Sequence, residues 1–194
     1  MEEDNSADEA YEFPFGDAFE EDTNTYPYGT FSAVASHVCS PRLVALAAAR
    51  LGQVDDQTLF VDLGCGIGAV SNLVGREFGC RVVGVDCCEA QLVEARLAAP
   101  PRARYLCCDL FALPEHVAVT EADLVFYIYL IPKMVNHVKL RDMLEPYLTQ
   151  GARVVTSTYH PDYWHAKATD DTFSLRLFDK TTKRRETSSN FQIT

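Results

Sequence analysis

An α/β fold with a doubly wound, mostly parallel sheet is what this sequence predicts, on three observations. Short apolar runs alternate with segments whose apolar residues recur at helical spacing, the pattern of strands joined by covering helices. The first three apolar runs each end in or beside an acid, Asp62, Asp86 and Asp109, at separations of 24 and 23 residues. The first of these acids opens a turn in which Gly64, Gly66 and Gly68 alternate with other residues.

Ser40-Pro41 offers an N-cap and first-turn pair to a helix whose Leu43, Val44, Leu46, Ala47 and Leu51 share a face until Gly52 stops it. Residues 58–63 are apolar and flanked by turn formers, so they read as a buried strand. A helix over 69–78 follows the glycine turn. Gly64 lets the chain turn sharply, Gly66 admits a ligand against the backbone, and Gly68 lets the helix pack closely on the sheet. Residues 81–85 form a second strand ending at Asp86, and a helix over 89–98 stops before Pro100-Pro101. Residues 104–108 form a third strand, ending at Asp109. Asp123 opens a fourth strand over 124–130, one helix runs from Pro132 through Leu148 to Gly151, and residues 153–158 form a fifth strand. Two alternating runs, 172–178 and 188–194, joined by 180–185, predict a closing antiparallel hairpin.

Charge is divided unevenly along the chain. Residues 1–28 hold ten acids and no Lys or Arg, whereas the remainder carries 18 acids against 17 bases, so the net charge of −11 belongs to the amino-terminal segment. Residues 1–25 are expected to form an acidic, flexible tail, because so few aliphatic side chains cannot offset the entropy of ordering it. Residues 26–194 make up the expected domain. Its one concentration of bases, Lys180, Lys183, Arg184 and Arg185, is too small to track a nucleic-acid backbone. The chain shows no apolar run of bilayer length and no signal-like start, which predicts a soluble cytoplasmic protein without a membrane span. Seven cysteines with no C-x-x-C pair predict reduced thiols and no structural metal site.

The glycine turn is a nucleotide-binding geometry, and its spacing leaves two nucleotides open. Gly64, Gly66 and Ala69 also satisfy the dinucleotide pattern of nicotinamide oxidoreductases. Asp86, at the end of the second strand, is placed to accept both hydroxyls of a ribose, and Asp109 suits the exocyclic amine of an adenine. The second acid, the closing hairpin and the absence of room for a second catalytic domain favour a different cofactor from NAD.

The segments 61–68, Val83-Gly84-Val85-Asp86 and Cys108-Asp109-Leu110-Phe111 resemble the first, ribose and adenine motifs of the class I methyltransferases that use S-adenosylmethionine. That resemblance implies a Rossmann-like, seven-stranded sheet with a C-terminal antiparallel hairpin. It implies cofactor contacts from Asp62, Gly64, Cys65, Gly66, Gly68, Asp86, Cys87, Asp109, Leu110 and Tyr127. Cys39-Ser40-Pro41, Asp109-Leu110-Phe111, residues 127–134 and residues 151–155 further resemble small protein-lysine methyltransferases that modify ATP synthase subunit c and the adenine nucleotide translocase. A protein lysine is then the expected acceptor and a small molecule the alternative. A non-catalytic cofactor-binding module remains a third possibility.

Methyl transfer is an in-line displacement that needs positioning, a deprotonated nucleophile and exclusion of water rather than a covalent intermediate. The acceptor is expected at the carboxyl ends of strands four and five. Tyr127, Tyr129, Tyr159, His160, Tyr163 and Trp164 could gather there, with Tyr127, Tyr159 and His160 the expected catalytic set. Cys65, Cys87, Cys107 and Cys108 fall near the ends of the first three strands, where small-residue packing is their expected role.

Overall fold

The computed structural model describes residues 40–121 and 123–185. The expected acidic tail and the expected strand over 188–194 lie outside the described residues. The helices are α1 (Arg42–Leu51), α2 (Ala69–Phe78), α3 (Glu89–Leu97), α4 (Pro132–Val135) and α5 (Val138–Thr149). The strands are β1 (Leu59–Leu63), β2 (Arg81–Asp86), β3 (Ala103–Cys107), β4 (Leu124–Ile128), β5 (Arg153–Ser157), β6 (Ala168–Asp170) and β7 (Leu175–Phe178).

These strands form one sheet in the order β3-β2-β1-β4-β5-β7-β6. β1 to β5 pair in parallel, and β7 runs antiparallel to both β5 and β6. The strand order reverses between β1 and β4, so a crevice opens above the carboxyl ends of the strands at that point. Both central strands, β1 and β4, are buried at every residue, as strands covered on two faces must be. Alternate residues divide the core. Phe60, Val82, Val125, Tyr127 and Val155 pack with Ala45 and Ala48 of α1 and with Val70 and Val74 of α2. Val61, Leu63, Phe126, Ile128 and Val154 pack with Leu140, Leu144 and Tyr147 of α5. No helix among the described residues is long and apolar enough to cross a membrane.

Three local expectations are corrected. Ser40 does not cap α1: Pro41 occupies the N-cap with no side-chain bond, and the Ser40 hydroxyl instead shares a 2.6 Å hydrogen bond with the Tyr127 hydroxyl. Gly52 does end α1 as expected, with an ordinary φ of −72°. Its small size matters because a Cβ there would lie 2.9 Å from Val125 Cγ1. The helix expected from Pro132 to Leu148 is two, since His137 Nδ1 accepts from Lys139 N and caps α5 while Asn136 Oδ1 accepts from Asp162 N.

The third correction moves the hairpin. Its strands are β6 and β7, and the turn between them is built by Asp170, whose Oδ1 accepts from Thr172 N and Phe173 N. The basic stretch 180–185 is no hairpin tip. Arg184 bridges to Trp164 and pairs with Glu145 of α5.

Candidate active site

The glycine turn between β1 and α2 is fastened to the end of β2 by backbone and carboxylate. Gly64 N and Cys65 N donate to Val85 O at 2.8 and 3.0 Å, and Gly66 N donates to Asp86 Oδ2 at 2.9 Å. Asp86 Oδ1 accepts from Cys88 N, also at 2.9 Å. Gly64 and Gly68 hold φ of +80° and +72°, a region that residues with a Cβ rarely enter. A Cβ on Gly68 would also lie 2.8 Å from Ala95 Cβ and 2.9 Å from the Tyr105 hydroxyl oxygen. That hydroxyl donates to Asn72 Oδ1 at 2.6 Å, and Asn72 Nδ2 donates to Ala95 O, so α2, α3 and β3 are tied together beneath the turn.

Asp62 lies deeper. It is 3 % exposed, and Ser71 Oγ donates to its Oδ2 at 2.6 Å across the first turn of α2. Burial pushes its carboxyl up to about 6, against the pull of the Ser71 hydrogen bonds. Asp86 is half-buried and Asp109 exposed, at the ends of adjacent strands. Between them lies Cys87, whose thiol is raised by burial and then by both Asp86 and Asp109. Both carboxylates thus lie close enough to Cys87 to act on its thiol. Each oxygen of Asp86 has accepted one backbone N–H, and a carboxylate offers about four acceptor positions, so about two remain open among the described residues. Asp109 spends Oδ1 on Phe111 N at the head of a short 3₁₀ turn, Leu110–Glu115. Its Oδ2 accepts from no donor among the described residues.

Several expected site residues have other surroundings. Cys65 places its backbone in the turn, but its side chain is buried with Leu92, Ala95 and Tyr105, which pushes the thiol up. Tyr127, expected as a catalytic and cofactor residue, is 1 % exposed and stacks on Phe60 at 6.1 Å. Burial raises its phenol to about 12, so it is a packed, neutral side chain. Tyr163 and Trp164 pack edge to face, and Trp164 continues onto Phe178 in the core beside α5. The Tyr163 hydroxyl donates to Val135 O. These three aromatics do not gather at the acceptor end, because alternation along β4 and the return of the 159–165 loop turn them into the two core layers.

Tyr159 and His160 do lie at the end of β5. Thr158 there holds a φ of +63°, an outlier for a β-branched residue, fixed by a hydrogen bond from its N–H to Ser174 O. Tyr159 is 41 % exposed. His160 is half-buried, with Nδ1 2.7 Å from Thr156 Oγ1 and Nε2 3.5 Å from Ser174 Oγ. Burial, reinforced by Arg176, holds its imidazole below the usual range, so it is neutral at pH 7. Arg176 and Ser174 escaped sequence reasoning because their position depends on where the hairpin begins. The Asx turn at Asp170 was the available signal.

A sheet of this order, with a glycine turn at its switch point and carboxylates ending the neighbouring strands, is that of the class I S-adenosylmethionine-dependent methyltransferases. The chain belongs to the methyltransferase domain family, which it matches over residues 60–157. It is similar to an RNA methyltransferase from Salinibacter ruber solved with S-adenosyl-L-homocysteine, at 24 % identity and a TM-score of 0.60, covering 76 % of this chain and 93 % of that one. It is similar to TrmN from Thermus thermophilus, at 18 % identity and a TM-score of 0.52, covering 71 % of this chain and 47 % of that one. A methyltransferase from Thiobacillus denitrificans, also holding S-adenosyl-L-homocysteine, gives 14 % identity and a TM-score of 0.51, covering 71 % of this chain and 56 % of that one. The chain thus spans about half the length of these last two. At such identities the likeness is one of fold. A comparison with curated protein sequences finds no significant match.

Proposed function

We propose that this protein transfers a methyl group from S-adenosylmethionine directly to an uncharged nitrogen, a protein lysine first among acceptors. The observation that carries the cofactor side is the pair of carboxylates, Asp86 and Asp109, flanking Cys87 under a turn whose N–H groups are already spent on β2. Asp86 would take the ribose hydroxyls and Asp109, beside Leu110, the adenine amine. The backbone of residues 64–68 would lie along the methionine portion, with Asp62 fixing the start of α2. Bound S-adenosylmethionine supplies an electrophilic methyl on a sulfonium.

The acceptor side rests on Tyr159 and His160. A lysine ammonium, with an ordinary pKa near 10.4, must lose a proton before it can attack. The neutral imidazole of His160 is suited to receive it, and Tyr159 offers an aromatic face to a cationic group. Tyr159, Ile131 and Val138 are 41, 45 and 52 % exposed. Small-molecule sites bury most of their ligand, so exposed apolar groups at this end favour a polypeptide acceptor. The near-neutral charge of residues 29–194 supports protein over RNA. A cytoplasmic setting goes with this reading.

Calorimetry with S-adenosyl-L-homocysteine and NAD tests the cofactor side. The wild type is expected to bind the former and not the latter. Asp86→Ala should weaken binding at least 30-fold, about 2 kcal/mol, because two backbone N–H groups lose their acceptor together with the ribose. Unchanged affinity in that variant would mean that the crevice is not the site. Transfer of labelled methyl to a lysine-containing protein in a cell extract tests the acceptor class, and label confined to small molecules overturns it.

A further inference from the structure

The amino end of β7 lies against the carboxyl end of β5, so Arg176 faces Thr156 across one ladder and Thr169 across the next. His160 folds back onto this group through Thr156 and Ser174. Among the described residues four arginines are half-buried: Arg81, Arg141, Arg153 and Arg176. The first three each carry an acidic partner, Glu121, Asp142 and Asp123. The Arg176 guanidinium makes no hydrogen bond or ion pair among the described residues, yet it stands close enough to help hold the His160 imidazole below its usual range. A guanidinium drawn partly out of water gives up hydration, and an oxyanion restores it best, because the planar fork of donors matches a carboxylate or phosphate.

We propose that Arg176, with the hydroxyl of Ser174, is an oxyanion subsite for the acceptor, and that the target lysine stands next to an acidic or phosphorylated residue in its own chain. This rests on the methyltransferase reading for its place beside the acceptor. Without an anion, Arg176 repels an incoming lysine ammonium and holds protons off His160. With one in place, the local charge is balanced and His160 becomes a stronger proton acceptor. The acceptor thus brings the group that readies the base.

The test uses the full chain and three short peptides, acetyl-Lys-Glu-amide, acetyl-Lys-phosphoserine-amide and acetyl-Lys-Gln-amide, followed through the His160 ring resonances by NMR. In the wild type, the glutamate or the phosphoserine peptide should saturate at least fivefold more tightly than the glutamine peptide and raise the apparent pKa of His160. Whichever binds more tightly identifies the anion. Arg176→Gln should abolish the discrimination and by itself raise the His160 pKa, and Arg176→Lys should restore part of both. Equal responses to all three peptides, no saturable response, or discrimination that survives in Arg176→Gln overturns the proposal. Calorimetry with S-adenosyl-L-homocysteine on the same samples keeps the two readings apart, since lost cofactor binding would sink the methyltransferase reading while leaving the peptide result standing.

Discussion

The two ends of the strand row solve recognition differently. At β1, β2 and β3, carboxylates are already bound by backbone N–H groups and a hydroxyl before any ligand arrives: Gly66 N and Cys88 N to Asp86, Ser71 Oγ to Asp62. At β5 and β7 stand separate side chains, an exposed Tyr159, a neutral His160 and an Arg176 with no acidic partner among the described residues. A common cofactor can be met by a rigid backbone shape. A particular acceptor needs side chains, and these vary with the loops that carry them.

The sharpest way to break this comparison is to loosen the rigid end. A Cβ on Gly84 would lie 2.5 Å from two ring carbons of Tyr105 and 2.8 Å from Cys65 Sγ. That ring is held at its hydroxyl by Asn72 and cannot swing away. Gly84→Ala should therefore cost about 3 kcal/mol of folding stability, at the upper range for overpacking, with cofactor binding lost in parallel. Urea unfolding measures the first and calorimetry the second. A loss under 1 kcal/mol would mean that the cofactor end is as pliable as the other.

Asp62 gives a pH signature to the same end. Its ordinary value is 3.8 and its folded value about 6. Between those values the folded protein keeps a proton that the unfolded chain has released, so stability is full below about pH 4 and falls as pH rises to about 6. A shift of this size corresponds to ~3 kcal/mol at most. Asp62→Asn cannot lose that proton, and its stability should stay flat across the window in which the wild type declines. Thermal unfolding from pH 3 to 8 checks this, and parallel curves for the two proteins would contradict the buried carboxylate.

How far each end was legible in the sequence follows the same division. Asp62, Asp86 and Asp109 sit at strand ends whose spacing is set by one strand, one helix and two turns, so chain order alone placed them at the carboxyl ends of β1, β2 and β3. The parallel strands β1 to β5 were legible for the same reason. Tyr127, Tyr163 and Trp164 were not, because a strand's alternation says that neighbours face opposite ways without saying which face meets the ligand. The hairpin was misplaced because residues 172–178 alternate like a strand, whereas the Asp170 carboxylate bends 172 and 173 into a turn. That slip carried Ser174 and Arg176 out of view. Likewise α4 and α5 read as one helix until the His137 and Asn136 side chains claimed backbone N–H groups at the break.

Tyr127 marks the border between the two ends, and its removal sharpens the comparison with the smallest expected effect. It lies on β4 level with Asp62 of β1, its ring on Phe60 and its hydroxyl on Ser40, the residue just before α1 begins. Tyr127→Phe keeps the stack and the volume and deletes one hydroxyl hydrogen bond, worth about 1 kcal/mol. Burial holds the phenol near 12, far from the range in which it could trade protons at neutral pH. The variant should therefore melt slightly earlier while its methyl-transfer rate and its affinity for S-adenosyl-L-homocysteine stay within twofold of the wild type. His160→Gln is the matched contrast, with affinity kept and rate reduced. Should Tyr127→Phe instead lose rate by a hundredfold at unchanged affinity, the acceptor end would extend onto β4 and the side chain counted here as core would be catalytic.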